Sequence, residues 1–229
     1  PQFFDFLPKI GDQLGGTEVH VYGENFLDLP TLQCKFGDSA PNIYPATEVI
    51  FKSENLVVCV SPRKALLAVL PFSITLNNVH WMKCDISTTC FHNHPYYGGR
   101  FMPCCEWEEQ VEHVKQRLTV FTWAKRPSIS ILQPDAAPTQ GDTDLKIIGN
   151  SLTPGNLGTT FTCRIDGDII MGVSKNDGGV QLLTCLTLPN MRAGLLPVQV
   201  SVNGFEWSNT NVLTTYEPLR AFRVNPSFV

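Results

Sequence analysis

Along the 229 residues the apolar positions recur in short alternating runs. In "TEVHVYG" at 17–23 and "TDLKIIG" at 143–149, apolar and polar residues alternate with the period of two of a half-buried strand. Each run ends at a glycine, read here as a residue suited to positive φ. "SITLNNVHW" at 73–81 and "VSVNGFEW" at 200–207 place Asn-Asn and Asn-Gly between β-prone runs, the composition of a two-residue type I′ hairpin turn. Helical period emerges in "CEWEEQVEHVKQRL" at 105–118, where Trp107, Val111, Val114 and Leu118 fall at i, i+4, i+7 and i+11. Glu106, Glu108 and Glu109 lie near its start and Lys115 and Arg117 near its end, as a helix dipole prefers, so a short helix is predicted there.

The strand pattern occurs twice. "PQFFDFLP" at 1–8 corresponds to "PSISILQP" at 127–134, and the same offset relates Thr17 to Thr143, Gly23 to Gly149, Cys59 to Cys185, Asn77 to Asn203 and Trp81 to Trp207. Cys34 and Cys163 stand three residues further apart, the length of one loop change. Each copy reads as an antiparallel β-sandwich of about seven short strands. The first copy carries about 35 extra residues between Trp81 and its last strand "LTVFTWAKRP". The predicted organisation is a domain at 1–126 with an insertion at 82–117, a domain at 127–217, and at 218–229 a linker or the start of a third copy, since "AFRVNP" repeats the opening in outline. The link "WAKRPSIS" leaves almost no free residues between copies, so limited interdomain bending is expected.

In order, "FLPKIGDQLGGTEVHVYGENF", "CKFG", "LVVCVSP" and "PFSITLNNVHW" resemble the IPT/TIG family of immunoglobulin-like domains, found in plexins, the hepatocyte growth factor receptor and fibrocystin-like surface proteins. The second copy matches in "LLTCLTLP", "PVQVSVNGFEW" and "TTYEP", more loosely elsewhere. The resemblance implies an all-β fold of two tandem immunoglobulin-like sandwiches, the first with a cysteine-rich insertion carrying the short helix. It also implies that Cys34 pairs with Cys59 and Cys163 with Cys185, which would stabilise each domain by about 3 kcal/mol in the chain-entropy view. Such pairs belong to an oxidising compartment.

Composition narrows the function. With 43% hydrophobic and 17% charged residues, 17 glycines and 17 prolines, the chain is folded and turn-rich. A net charge of −4 without a basic run offers no footprint for a nucleic-acid backbone. The apolar run "ALLAVLPF" at 65–72 is far shorter than a membrane span, so no direct membrane insertion is expected of this segment. A start at Pro1 without a leader reads as a processed or excised form.

Reactive groups concentrate in the insertion, around "CFHNHPYYGGRFMPCC" at 90–105. Cys84, Cys90, His92, His94, Cys104, Cys105 and His113 supply enough soft donors for zinc, most compactly as Cys90, His92, His94 and Cys104. The spacing lacks two ligand knuckles and Cys104-Cys105 is vicinal, so two further disulfides among Cys84, Cys90, Cys104 and Cys105 are the simpler reading. Their pairing stays open, with the vicinal one disfavoured by geometry. No cofactor or resident metal is called for. His92, His94, His113, Glu106, Glu108 and Glu109 have general acid–base chemistry available, but no nucleophile elbow, metalloprotease motif or phosphate loop accompanies them. Tyr96, Tyr97 and Phe101, beside Gly98-Gly99, and Trp107 are the aromatic candidates for a protein interface. The expectation is a non-catalytic extracellular spacer and protein-binding region of a larger receptor or adhesion protein, meeting a protein ligand or a like molecule through the insertion and the sheet faces. The alternatives are a head-to-tail subunit of an extracellular fibre and a transcription-factor TIG domain.

Overall fold

The computed structural model describes residues 1–38, 40–64, 68–94, 98–107, 120–152, 161–177 and 180–218, and for 84–94, 98–107 and 175–177 the backbone only. All described elements are strands, in two compact units, Pro1–Lys125 and Arg126–Val229.

The first unit contains β1 (Gln2–Leu7), β2 (Ile10–Asp12), β3 (Glu18–Glu24), β4 (Gln33–Phe36), β5 (Tyr44–Pro45), β6 (Glu48–Ser53), β7 (Leu56–Val60), β8 (Ala68–Thr75), β9 (Met82–His94), β10 (Gly98–Trp107) and β11 (Val120–Ala124). One layer has the order β1-β3-β7-β6. The other runs β10-β9-β8-β11-β2, with β4 on β8 and β5 on β4. The second unit contains β12 (Ser128–Gln133), β13 (Ala136–Pro138), β14 (Asp144–Asn150), β15 (Phe161–Ile165), β16 (Asp168–Asp177), β17 (Val180–Leu186), β18 (Gly194–Ser201) and β19 (Asn211–Tyr216). Its order is β12-β14-β17-β16-β15-β18-β19-β13, because β16 pairs with β15 through its first half and β17 through its second, joining the layers.

Alternation produces the layers. In β3 the odd residues Val19 and Val21 are buried, and in β14 so are Leu145 and Ile147, each facing the opposite sheet as a period-2 strand requires. Each core is stitched by one disulfide, Cys34–Cys59 with Cα atoms 6.2 Å apart and Cys163–Cys185 at 6.5 Å. All four cysteines are buried.

The repeat extends to individual hydrogen bonds. Thr17 donates its N–H to Ser61 Oγ at 3.1 Å, and Thr143 to Thr187 Oγ1 at 2.9 Å. Ser61 N–H returns to Thr17 O, as Thr187 N–H does to Thr143 O. In both units the chain breaks after its first strand at an X-Pro peptide, Leu7-Pro8 and Gln133-Pro134. It then crosses to run parallel to the last strand, β2 with β11 and β13 with β19.

Two local expectations are corrected. Gly23 and Gly149 do not have positive φ. Each lies opposite a bulge in the first strand, at Phe4 and Ser130, where an added Cβ would run into the backbone carbonyl of Gln2 or Ser128. Close backbone approach, not a turn, demands glycine there. Nor is either hairpin loop a two-residue type I′ turn, which needs positive φ at both central residues. Only Asn78 and Gly204 have positive φ in these loops, and the strands are separated by 76–81 and 202–210. The loops are closed by side chains. Asn77 Oδ1 accepts the N–H groups of Val79 and His80 at 3.0 and 2.9 Å, and Asn203 Oδ1 those of Phe205 and Glu206 at the same distances. These Asx turns replace backbone turn geometry with a carboxamide acceptor.

Candidate functional site

The two units part company at their last strand. In the second, Ser208 takes the place that Met82 holds in the first. Ser208 N–H donates to Val200 O at 2.8 Å, and β19 then completes the lane beside β18. In the first, Met82 pairs with Ile74 and Lys83 with Ser73, starting the same lane on β8. The chain then leaves as the β9–β10 hairpin, and β11 resumes the lane at Val120↔Pro71, as Val212↔Pro197 does in the second unit. The insertion is thus a graft into one strand lane. Its base is anchored by Met82, buried in the aromatic core, and by Lys83, whose ammonium lies 2.8 Å from the Asp38 carboxylate. The hairpin runs beside the edge strand β1.

A second device supports the loop before the last lane in both units. The tryptophan closing the hairpin loop lies over a cation from the neighbouring strand, Trp81 with Lys35 Nζ 4.1 Å from the ring centre, and Trp207 with the Arg164 guanidinium at 4.1 Å. Lys35 is buried, and ring contact compensates part of its lost hydration.

Register places the sequence candidates along the hairpin. Phe101 stands opposite Phe91 in the upper half, while Trp107 stands opposite Met82 at the base, so these two candidates occupy different levels. Tyr96 and Tyr97 fall outside the described residues. Cys105 stands opposite Cys84, Cys104 opposite Asp85, and Cys90 opposite Met102. His92 and His94 stand opposite Arg100 and Gly98.

The short helix expected within the insertion is corrected where the structure describes it. Glu106 and Trp107 belong to strand β10, in register with Lys83 and Met82. The rest of that stripe, Val111, Val114 and Leu118, lies outside the described residues, as do Glu108, Glu109 and His113. Most of 218–229, expected to begin a third copy, lies outside them too. Among the described residues no group of three or more His, Cys, Asp or Glu side chains is placed to hold a metal ion. Among them, too, no helix is long and apolar enough to cross a membrane.

The described shifts in acidity accompany structural pairs. The Arg192 guanidinium hydrogen-bonds Asp166, Nη2 to Oδ1 at 2.8 Å, and holds that carboxyl below its usual range. Burial pulls the Lys9 ammonium down, opposed by the charge and hydrogen bond of Asp5. A sheet-face feature lies on β16 of the second unit, where alternate residues Ile169, Met171 and Val173 are 60%, 61% and 61% exposed.

These observations define a class: a tandem, disulfide-stitched β-sandwich protein of immunoglobulin-like type, with a hairpin grafted onto one repeat. The IPT/TIG domain profile matches residues 1–89 and again 127–216, most of the chain. The chain belongs to the IPT/TIG domain family. No curated protein matches it significantly. Among solved structures, the plexin A4 full extracellular region, domains 1 to 10, aligns over 94% of this chain with 14% identity and a TM-score of 0.40. A second structure of that plexin region, covering domains 1 to 8, aligns over 94% with 15% identity and a TM-score of 0.37. The chain spans only 16% and 18% of those plexin chains. A Bacteroides ovatus protein, SGBP-B of a mixed-linkage glucan utilization locus, solved in complex with a mixed-linkage heptasaccharide, aligns over 92% of this chain and 44% of its own, with 12% identity and a TM-score of 0.29.

Proposed function

We propose that this chain is a non-catalytic spacer and protein-binding segment of the extracellular region of a larger cell-surface receptor or adhesion protein. The β9–β10 hairpin is its principal contact element. The observation that carries this reading is the graft itself: two repeats share their main ladders, bridges and loop closures, and the first alone interrupts its last lane, leaving it after Lys83 and resuming it at Val120. An element added to a frame that closes without it is free to serve recognition. The bridges in both cores support an oxidising, extracellular location. Tyr96, Tyr97 and Phe101 would supply aromatic burial at the crest, with Trp107 at its base and the β16 face as a further surface. The organisation that accompanies this reading is a domain at 1–126 with its insertion, a second at 127–217, and a linker or third repeat beyond.

The test compares the chain with a variant in which residues 83–119 are replaced by the 209–211 connection of the second unit. Binding to the surfaces of a panel of cultured cells, read by flow cytometry, should fall at least tenfold in the variant. Unchanged binding contradicts the assignment to the hairpin. Light scattering should give a monomer. Concentration-dependent assembly would favour the head-to-tail fibre, and salt-sensitive DNA binding the transcription-factor reading.

A further inference from the structure

The register of β9 against β10 carries information that the spacing of the cysteines lacks. Strand β10 runs without interruption from Gly98 to Trp107. Opposite it, β9 contains three residues, Ile86, Ser87 and Thr88, without ladder partners on β10, because Cys104 pairs with Asp85 while Pro103 pairs with Thr89. In a strand, successive residues alternate between faces, so an odd number of extra residues exchanges the faces of β9 above and below the bulge.

Following the pairing row by row assigns every cysteine to a face. Cys84 and Cys105 are directly opposed, and so share a face with each other and with Phe91, Phe101 and Trp107. Cys104 shares the other face with Asp85, Met102 and Arg100. Cys90, opposite Met102 and above the bulge, falls on the face of Cys104. Four cysteines allow three pairings. Pairing Cys84 with Cys104 and Cys90 with Cys105 would join opposite faces twice. Pairing Cys84 with Cys90 would leave the vicinal Cys104 and Cys105, which a strand also puts on opposite faces.

We infer that the hairpin is cross-linked by two bridges, Cys84–Cys105 and Cys90–Cys104, one on each face. Directly opposed residues of an antiparallel pair have Cα atoms about 4.5–5.5 Å apart, inside the range a disulfide spans. Cys90 and Cys104 are diagonal neighbours, two rows apart in register. Diagonal Cα atoms ordinarily lie about 7–8 Å apart, at the limit a disulfide spans, so this bridge draws the strands together where the bulge already bends β9.

Each bridge forms by oxidation of two thiols, which lose their protons. The electron pair passes to a disulfide oxidant, such as oxidised glutathione, which leaves as two thiols. A zinc site on Cys90, His92, His94 and Cys104 does not compete. His94 stands level with Gly98, six residues along β10 from Cys104. That places these two ligands about 20 Å apart along the strand, while zinc–ligand bonds are about 2.0–2.3 Å. The inference rests on register alone and stands whether or not the hairpin binds a protein.

The test is disulfide mapping of the intact, unreduced full chain. Cleavage before Asp85 separates Cys84 from Cys90, and electron-transfer fragmentation distinguishes Cys104 from Cys105. Peptides linking Cys84 to Cys105 and Cys90 to Cys104 are expected. Either other pairing overturns the inference, as do free thiols in this segment accompanied by chelatable zinc. Thiol titration of double variants provides a second reading. Cys84→Ser with Cys105→Ser, and Cys90→Ser with Cys104→Ser, should each leave no free thiol in the hairpin, whereas Cys84→Ser with Cys104→Ser should expose two. Two thiols in both matched variants would contradict the pairing. If a variant fails to fold, the map of the natural chain decides.

Discussion

The first unit fills with rings the space that the second fills with branched aliphatic chains. Phe3, Phe6 and Phe72 correspond to Ile129, Leu132 and Val198, and Phe36 and Phe121 to Ile165 and Leu213, all buried. The exchange reverses once: Leu32 corresponds to Phe161. In the first core the rings interlock, with centroids of Phe6 and Phe72 4.4 Å apart, Phe121 and Trp123 4.8 Å, and Phe36 and Phe121 4.9 Å. The backbone around them nonetheless keeps the same main strand pairings, the same first-strand bulge and the same Ser/Thr bonds, although β16 runs continuously where β5 and β6 are separate. The frame is therefore specified by alternation and by a few polar closures, and core volume is distributed within it in more than one self-consistent way.

The comparison is broken most severely by emptying one core, or overfilling the other, at the matched positions Phe72 and Val198. Phe72→Ala should destabilise the first unit by about 3–5 kcal/mol, because its ring contacts Phe3, Phe6 and Phe36 and leaves a large cavity. The reciprocal Val198→Phe should cost the second unit about 1–3 kcal/mol through overpacking. Both are read from denaturant unfolding. The bridges sharpen the likeness. Their sequence separations are 25 and 22, so removing either pair by alanine substitution should cost a similar amount, about 3 kcal/mol.

Smaller effects follow from the polar closures. Ser61→Ala and Thr187→Ala each remove the acceptor of a strand-start N–H, and each should cost about 1–3 kcal/mol. The cation–ring pairs should differ. Arg164→Met, at a half-buried position, should cost about 0.5–1 kcal/mol, whereas Lys35→Ala, at a buried one, should cost about 2 kcal/mol.

The repeat is legible in the chain because its constant offset joins residues that serve alike in both units, Thr17 with Thr143, Asn77 with Asn203, and Trp81 with Trp207. What those residues do is less visible. That Lys35 and Arg164 lie beneath the tryptophans shows in the chain only as a basic residue following each first-bridge cysteine. Gly23 and Gly149 defeat a local reading because a bulge in another strand, not their own turn, requires glycine. At Trp107 a local helical period loses to pairing with Met82, a partner 25 residues earlier in the chain. The face exchange at 86–88 follows from strand register, which no spacing rule for cysteines contains.

The central claim is that the hairpin is a graft for recognition onto a frame that closes without it. Replacing residues 83–119 by the 209–211 connection tests this most directly, because Met82 and every other core residue of the first unit whose burial is described stay in place. Hydrogen exchange across β3, β7 and β8 should remain protected, with stability within about 2 kcal/mol of the natural chain, while cell-surface binding is lost. Loss of protection throughout the first unit, or a folded variant that binds as before, would contradict the account.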